Sequence, residues 1–290
     1  MTETVYLNGA LVPRSEARLS IDDHGFLYGY GLFETMRAYN GVIFLLDCHL
    51  RRLAEGAGAI GLADRLAGID LAQACRDTLA ANGLKEARLR LTVSGGAGTA
   101  LPWVEVGGEP TVLVTARPYQ PPPPKKYEEG FCVLLSSQRR CRTSLAQVKS
   151  VSYLASVLAR REAADAGCDE ALLLDEAGFI AEGAVSNVFF VRAGRLLTPS
   201  LESGVLPGVT RQAVMELAVA GGIEVAGGET APADLEHCAE AFLTNSLMEV
   251  MPLVAVREGD SEIIIGDGQP GPVTRRLMDD YRRMAARATG

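Results

Sequence analysis

The sequence is poor in the residues that build metal centres. Its 290 residues include three histidines, and its six cysteines are scattered without a CxxC pair. The histidines also lack the short spacing to acids or cysteines that zinc sites use. We therefore expect no metal site, and we expect reduced thiols rather than a disulfide framework.

Long apolar segments are scarce as well. The N-terminal stretch MTETVYLNGALVPRSEA carries an acid early and has no apolar core, so it does not predict a secretory signal. The longest apolar runs, such as AFLTNSLMEVMPLVAV, are too short and too polar to cross a bilayer. These features predict a cytoplasmic protein without membrane association.

Positive charge is in deficit. Lysine and arginine number 28 against 36 aspartates and glutamates, which gives a net charge of −8. This balance argues against a broad basic surface for nucleic acid. A serine hydrolase is not supported either, because the sequence has no GxSxG motif.

What the sequence does contain is a series of strand-like and helix-like segments on both sides of a proline-rich stretch, QPPPPKK. Four consecutive prolines, Pro121 to Pro124, favour a stiff and extended connector. We therefore predict an α+β protein with a small N-terminal domain at 1–119. A linker follows at 120–126, and a larger domain occupies 127–290.

The predicted strands are rich in Val, Leu and Thr, and the predicted helices repeat apolar residues about every 3.6 positions. The strands are expected at 4–9, 9–15, 87–94, 111–117, 131–136, 170–175, 187–192, 195–200, 223–229 and 240–245. Helices are expected at 47–61, 70–83, 210–222 and 273–288, and another follows Lys149 and ends at Gly167.

Lys149 is the first candidate for chemistry. In LAQVKSVSYLASVLARREA it precedes a helix whose apolar stripe, with Leu154, Val157 and Leu158, predicts a buried face. A desolvated lysine can attack a carbonyl carbon as a neutral amine. A solvated lysine at a helix start is the commoner situation, so Lys149 alone does not decide the chemistry.

Three further segments carry complementary groups. Thr210 follows LPG at a helix start, where free N–H groups and a hydroxyl can bind phosphate. Glu182, in GFIAEGAVSN, can pair with a protonated ring nitrogen. Of Arg51 and Arg52, in HLRRL, one can face outward while the other reaches a phosphate. Each has an ordinary structural alternative. Together with Lys149 they match the requirements of pyridoxal phosphate.

Nearly end to end, the sequence resembles the class IV, or fold-type IV, pyridoxal-phosphate enzymes. The resemblance is carried, in order, by VYLNG, DHGFLYGYGLFETMR, HLRRL, VKSVSYLASVLAR, EGAVSNVFFV, LPGVTR and TNSLMEVMPL. That family includes branched-chain aminotransferases, D-amino acid aminotransferases and 4-amino-4-deoxychorismate lyases. The resemblance implies a two-domain fold-type IV architecture, pyridoxal 5'-phosphate as cofactor, a small amine or amino acid as substrate, and a homodimer.

The resemblance also implies roles for single residues. Lys149 matches the lysine that condenses with the cofactor's aldehyde, and Glu182 matches the carboxylate on its pyridine nitrogen. Arg52 matches the phosphate arginine, and Val209 and Thr210 match a backbone-and-hydroxyl phosphate cup.

Further positions follow from the same resemblance. Tyr153 matches a residue that bonds the cofactor's phenolic oxygen. Asn245 and Ser246 match a loop for the phosphate and the substrate carboxylate. The positions in the substrate pocket are Tyr28, Arg37 and Arg90. The sequence assigns no role to His24, His49 or the cysteines.

Two reactions remain open at this point. In both, the freed Lys149 removes a proton from the substrate carbon that bears nitrogen. Return of the proton to the cofactor leads to transamination, whereas loss of an enolpyruvyl group gives 4-aminobenzoate and pyruvate. TNSLMEVMPL resembles the lyase, and branched-chain enzymes more often have Gly-Thr where this chain has Asn245-Ser246. The sequence therefore favours 4-amino-4-deoxychorismate lyase, with a branched-chain or D-amino acid aminotransferase as the alternative.

Overall fold

The computed structural model describes residues 3–98 and 109–290. These residues form two compact units. The first comprises the described part of Met1–Gln120 together with Val148–Ser152 and Ala285–Gly290. The second comprises Pro121–Gln147 and Tyr153–Met284. Residues 99–108 of the predicted small domain lie outside the described residues.

The first unit is built on an antiparallel sheet. Its strands are β1 Thr4–Leu7, β2 Ala10–Pro13, β3 Gly31–Tyr39, β4 Val42–Ile43, β5 Ala87–Ser94 and β6 Thr111–Pro118, in the order β2-β1-β6-β5-β3-β4. Its helices are α1 His24–Tyr28, α2 Leu46–Ala59, α3 Ala63–Leu66 and α4 Leu71–Ala81.

Alternation along β5 builds the core of this unit. Leu89, Leu91 and Val93 are fully buried, as a strand with one core-facing side requires. They belong to the same apolar cluster as residues of α2 and α4, including Leu53 and Leu79. Burial of each leucine contributes about 1.5–3 kcal/mol. This cluster fixes α2 against the sheet, and α2 carries Arg52.

The second unit contains a mixed sheet. Its strands are β7 Phe131–Arg140, β8 Glu170–Asp175, β9 Ile180–Gly183, β10 Asn187–Arg192, β11 Arg195–Thr198, β12 Val225–Gly227, β13 Glu240–Asn245, β14 Glu249–Glu258 and β15 Ser261–Ile264. The order is β12-β11-β10-β13-β14-β7-β8-β9, and β15 pairs with β14. Its helices are α5 Pro124–Glu129, α6 Leu154–Asp165, α7 Val209–Ala220 and α8 Pro272–Thr289, of which the last residues are grouped with the first unit.

Strand β14 is absent from the sequence-based prediction for a physical reason. Its residues are buried on both faces over most of its length, so no alternation marks it. Pro252 also argues against a central strand because proline cannot donate to the ladder. The structure nevertheless pairs Pro252 with Phe242 of β13, and the register toward β7 shifts between Leu253 and Ala255. The sequence-based prediction likewise lacks strands β3, β4, β9 and β15.

The proline stretch is only partly extended. Pro123 has extended backbone angles, with φ −60° and ψ 147°, but Pro124 begins helix α5. Proline suits a first helical position because its φ is fixed near the helical value and its missing N–H would have no partner there. The predicted extended linker at 120–126 is therefore corrected: it ends before Pro124.

The prediction of a buried apolar stripe on α6 is wrong. Leu154, Val157 and Leu158 are 69%, 56% and 39% exposed, whereas Ala159 and Ala163 are buried. The helix packs on β7 and β8 through these small alanine side chains. The larger apolar residues consequently face away from the core of their own unit.

None of the helices in the described ranges is long and apolar enough to cross a membrane.

Candidate functional site

The backbone around Lys149 runs beside the start of β3. The Lys149 carbonyl accepts a hydrogen bond from the Phe33 N–H at 3.0 Å, and the Val151 N–H donates to Gly31 at 3.0 Å. A β-bridge joins Ser150 to Leu32 between these two bonds. The Lys149 Nζ lies 4.5 Å from the centroid of the Phe33 ring. Pairing with β3, rather than a helix, therefore holds the lysine.

A buried ionic cluster occupies the same unit. Glu34 is fully buried, and its carboxylate lies 2.7 Å from His49 Nδ1. Arg52 donates to both carboxylate oxygens, from Nε at 2.8 Å and from a terminal nitrogen at 2.5 Å. Burial by itself raises the pKa of Glu34, but the Arg52 charge and the hydrogen bonds from both partners lower that pKa to about 2. Burial also lowers the pKa of His49 more than Glu34 raises it, so His49 is neutral at pH 7 and donates from Nδ1.

The three predicted substrate-pocket residues occupy different environments. Arg90 lies with its guanidinium carbon 3.8 Å from the Phe33 ring centroid, so Phe33 contacts both this arginine and Lys149. Arg37 is buried under aromatic rings, 4.2 Å from the Tyr39 centroid. Tyr28 is 45% exposed at the end of α1. The structure thus places Arg90 and Lys149 against the same Phe33 ring.

Glu182 lies in β9 of the second unit and is buried. Its carboxylate accepts from the Leu206 N–H at 2.9 Å and from the Asn187 amide at 3.3 Å. Arg140 forms an ion pair with the other oxygen, from Nε at 2.8 Å. Three donors therefore stabilise the negative charge of Glu182 in a buried position.

Arg140 has further partners that the sequence did not reveal. Its guanidinium also donates to the carbonyls of Gly204, at 3.0 Å, and Ala146. Ala146 lies in the short 3₁₀ helix Ser144–Gln147, which precedes Lys149 in the chain. One arginine thus fixes Glu182 and the backbone that leads to the lysine.

Tyr153 immediately precedes α6, and its hydroxyl donates to the Ala184 carbonyl at 3.3 Å. Burial is the main cause that raises the pKa of Tyr153, so the hydroxyl stays protonated and is a hydrogen-bond donor at neutral pH. Ala184 directly follows β9, two residues after Glu182, which brings Tyr153 to the same part of the second unit.

The N-terminus of helix α7 has features of an anion-binding site. Gly208 precedes Val209 and offers no side chain to cap the first N–H groups. A Cβ at Gly208 would lie 1.9 Å from the Asn187 amide oxygen, so a larger residue would displace the Asn187 side chain from its bonds to Glu182 and Leu206. Thr210 is buried, and its hydroxyl lies 3.4 Å from the Tyr281 hydroxyl. First-turn N–H groups that no side chain caps, with a hydroxyl nearby, suit a phosphate.

Asn245 ends β13 and shapes the next turn. Its side-chain oxygen accepts from the Leu247 N–H at 2.9 Å and from the Met248 N–H at 2.8 Å. Its amide nitrogen donates to the Val185 carbonyl at 3.1 Å. Asn245 therefore orients the loop that contains Ser246, and the structure joins that loop to the turn after Glu182.

The residues fit pyridoxal phosphate as a chemical set. The second unit supplies a buried carboxylate with three donors, a phenol and an uncapped helix start opened by Gly208. The first unit supplies a lysine amine against an aromatic ring and an arginine whose side chain is 10% exposed. A carboxylate, an amine and anion-binding groups are the kinds of group that the cofactor's ring nitrogen, aldehyde and phosphate require. The described residues contain no group of three or more histidines, cysteines and acids that could hold a metal ion.

Known proteins resemble this chain over nearly its whole length. A family model described as amino-transferase class IV matches residues 31–256. A Methanocaldococcus jannaschii protein, provisionally named a branched-chain-amino-acid aminotransferase, is 37% identical over 96% of this chain and 95% of its own length. Aminodeoxychorismate lyase of Bacillus subtilis is 34% identical over 96% and 94%. The branched-chain amino acid aminotransferase of Thermobaculum terrenum, solved in its PLP form, superposes with a TM-score of 0.85 at 28% identity, over 100% of this chain and 95% of its own.

Proposed function

Since the chain belongs to the class IV aminotransferase family, we propose that it is a pyridoxal-phosphate aminotransferase that acts on a branched-chain amino acid. The observation that carries this proposal is similarity to enzymes of that name in both sequence and fold over more than nine-tenths of the chain. The sequence alone favours the lyase. The comparisons favour a branched-chain aminotransferase, because enzymes of that name include both a similar sequence and a superposable structure.

We assign the acid–base work to Lys149. When bound, pyridoxal phosphate supplies an aldehyde and a ring that accepts the charge left on the substrate carbon. Lys149 would hold the aldehyde carbon, and its amine, once the substrate amine has displaced it, would take up the proton released by the substrate carbon that bears nitrogen. The adjacent Phe33 ring removes water from one side of the amine, and the backbone bonds to β3 limit its range of positions.

We assign the ring nitrogen to Glu182 and the phenolic oxygen to Tyr153. The Leu206 N–H and Arg140 hold the Glu182 carboxylate in one orientation, so it is ready to keep a ring nitrogen protonated. The Tyr153 hydroxyl is a protonated donor of the kind that a phenolate oxygen requires.

The phosphate partners that we propose are Val209, Thr210 and Arg52, with Asn245 and Ser246 in a supporting loop. The first-turn N–H groups of α7 point along the helix axis and stabilise negative charge there. We keep Arg90 as the favoured residue for the substrate side because it shares the Phe33 ring with Lys149. Tyr28 and Arg37 stay as further proposals for the pocket.

A half-reaction tests the function. Purified holoenzyme is mixed with L-leucine, L-valine, D-alanine or L-alanine in the absence of a keto acid. Conversion of the bound cofactor to its pyridoxamine form shifts its absorbance, and we expect L-leucine and L-valine to convert it fastest. Preference for D-alanine, or no conversion by any of the four, would contradict the proposal.

The second candidate is 4-amino-4-deoxychorismate lyase. The B. subtilis relative favours it, and so does the Asn245 side chain, because a glycine at this position could not accept the two N–H groups of the next turn. The test supplies aminodeoxychorismate and measures 4-aminobenzoate and pyruvate. Release of both products, with no conversion by the amino acids, would select the lyase.

We also propose that the enzyme is a cytoplasmic homodimer. The exposed apolar stripe of α6, formed by Leu154, Val157 and Leu158, supports an interface with a second copy, because an exposed stripe of this kind is costly in water. The family resemblance described above supports the same assembly.

A further inference from the structure

Glu34 is a charged residue at a core-facing position. It shares one face of β3 with Leu32 and Met36, which are buried at 1% and 0% exposure. An unpaired carboxylate would be strongly destabilising there. The carboxylate is instead surrounded by three N–H donors, one from His49 and two from Arg52. A strand position that would suit leucine thus carries a complete ionic cluster.

The donors come from one helix. His49 and Arg52 are three residues apart on α2, so their side chains emerge on the same face one turn apart. The two bonds from Arg52 to Glu34 are bidentate, and such pairs fix the plane of the guanidinium as well as its distance. The guanidinium has five N–H donors, so pairing with one carboxylate does not exhaust its capacity.

We propose that Glu34 and His49 are positioning residues that hold the Arg52 guanidinium in the orientation with which it binds phosphate, so that this cluster makes the protein prefer phosphorylated pyridoxal over pyridoxal itself. This inference rests on the proposed function, because it takes Arg52 as a phosphate partner. His49 bonds Oε2 of Glu34, an oxygen that Arg52 also bonds, and so limits rotation of the carboxylate away from Arg52.

Charge and orientation make opposite predictions for Glu34→Gln. If charge dominates, loss of the carboxylate leaves Arg52 uncompensated and strengthens its attraction for phosphate. If orientation dominates, binding weakens, because the glutamine has a single acceptor oxygen for three donors and its own N–H groups oppose them. If Glu34 orients Arg52, Glu34→Gln must bind pyridoxal phosphate more weakly than wild type. Tighter binding would show that charge dominates.

The experiment measures two dissociation constants for each protein, one for pyridoxal phosphate and one for pyridoxal, from the absorbance of the lysine-linked aldehyde. For Glu34→Gln we expect the preference for the phosphorylated form to fall about tenfold or more, the scale of one hydrogen bond to a charged group. Pyridoxal binding should stay within about twofold of wild type, since Lys149 is unchanged. Glu55→Gln, on the exposed side of α2, is the matched control and should keep the wild-type preference.

His49 variants provide a second route if Glu34→Gln folds poorly. His49→Asn keeps an N–H donor near the position of Nδ1 and should retain most of the preference, whereas His49→Leu should lose part of it. An unchanged or increased preference in Glu34→Gln, or equal behaviour of the two His49 variants, would overturn the inference. Wild-type protein that links neither aldehyde would instead contradict the proposed function.

Discussion

At the scale of single residues, Lys149 carries the clearest expectation. The Lys149→Ala variant should lose turnover and the covalent link, because no other amine replaces Nζ. It should keep its fold, since the bond that Lys149 makes to Phe33 uses the backbone carbonyl. Borohydride reduction followed by peptide mass spectrometry checks the link, and circular dichroism checks the fold. Lys125→Ala, at a lysine whose side chain is 75% exposed, serves as the control; turnover in the Lys149 variant would refute the assignment.

Thr210 tests the start of α7. In Thr210→Ala the phosphate should lose one hydrogen-bond donor, which weakens retention of the cofactor by about 1 kcal/mol, or roughly fivefold. Equilibrium dialysis of the cofactor measures the change. Thr274 offers a matched control, because it is also buried and its hydroxyl has no hydrogen-bond partner among the described residues. Equal retention by the two variants would remove Thr210 from the phosphate site.

The motif residues could be predicted from the sequence, but their supporting residues could not. Glu182 and Thr210 lie in recognisable segments, whereas Arg140 is revealed only by its long-range bonds to Glu182 and Gly204. For Glu34 a signal did exist. A charged residue interrupts the core-facing series of β3, and buried charges in proteins need partners.

At the scale of elements, α6 and β7 are tied together by one carboxylate. Glu162 of α6 accepts from Ser136 Oγ at 2.6 Å, from Ser137 N and Oγ at 3.0 and 2.7 Å, and from the Gln138 amide at 2.9 Å. These residues lie where β7 departs from regular pairing with β8, between Leu135 and Arg139. Glu162 therefore satisfies the polar groups of an irregular strand segment.

This tie predicts a pH dependence. Desolvation raises the pKa of Glu162, but the hydrogen bonds from Ser136, Ser137 and Gln138 outweigh it and lower the pKa from 4.5 to about 2. Because the folded-state pKa is depressed, the stabilisation is present above pH 4.5 and is lost as pH falls toward 2. Glu162→Gln should lower the stability at pH 7 by about 1 kcal/mol and flatten the acid limb of a plot of melting temperature against pH. Glu216→Gln, at an exposed helix position, should match wild type; an identical acid limb in all three proteins would disprove the tie.

Short strands could be predicted whether they alternate, as β5 does, or are buried on both faces, as β8, β10 and β13 are. Strands β5, β8, β10 and β13 match their predicted bounds residue for residue. Strand β14 has no alternation and contains Pro252. Helix α6 misled the prediction because alanines form its buried face, so its large apolar residues mark the exposed one.

At the scale of the whole molecule, the α6 stripe predicts the state of assembly. In Val157→Lys a charge enters the proposed interface, and burying it without a partner is unfavourable. We expect a wild-type dimer and a variant whose dissociation constant is higher by about tenfold or more. Analytical ultracentrifugation over a range of concentrations measures both. Val219→Lys, at a 64% exposed position on α7, is the control; a monomeric wild type, or a variant as dimeric as the control, would contradict the proposal.

The five residues Val148–Ser152 group with the first unit although the chain on both sides of them belongs to the second. A gene fusion that joined the first 120 residues of one relative to the remainder of another would therefore match a foreign β3 with the pentapeptide that carries Lys149. Recombination between relatives should tolerate such a crossover only where Gly31–Phe33 and Val148–Val151 come from compatible parents, because their backbones pair directly. Lys149 and the strand with which its backbone pairs are thus expected to be inherited together, even though more than 100 residues separate them in the printed sequence.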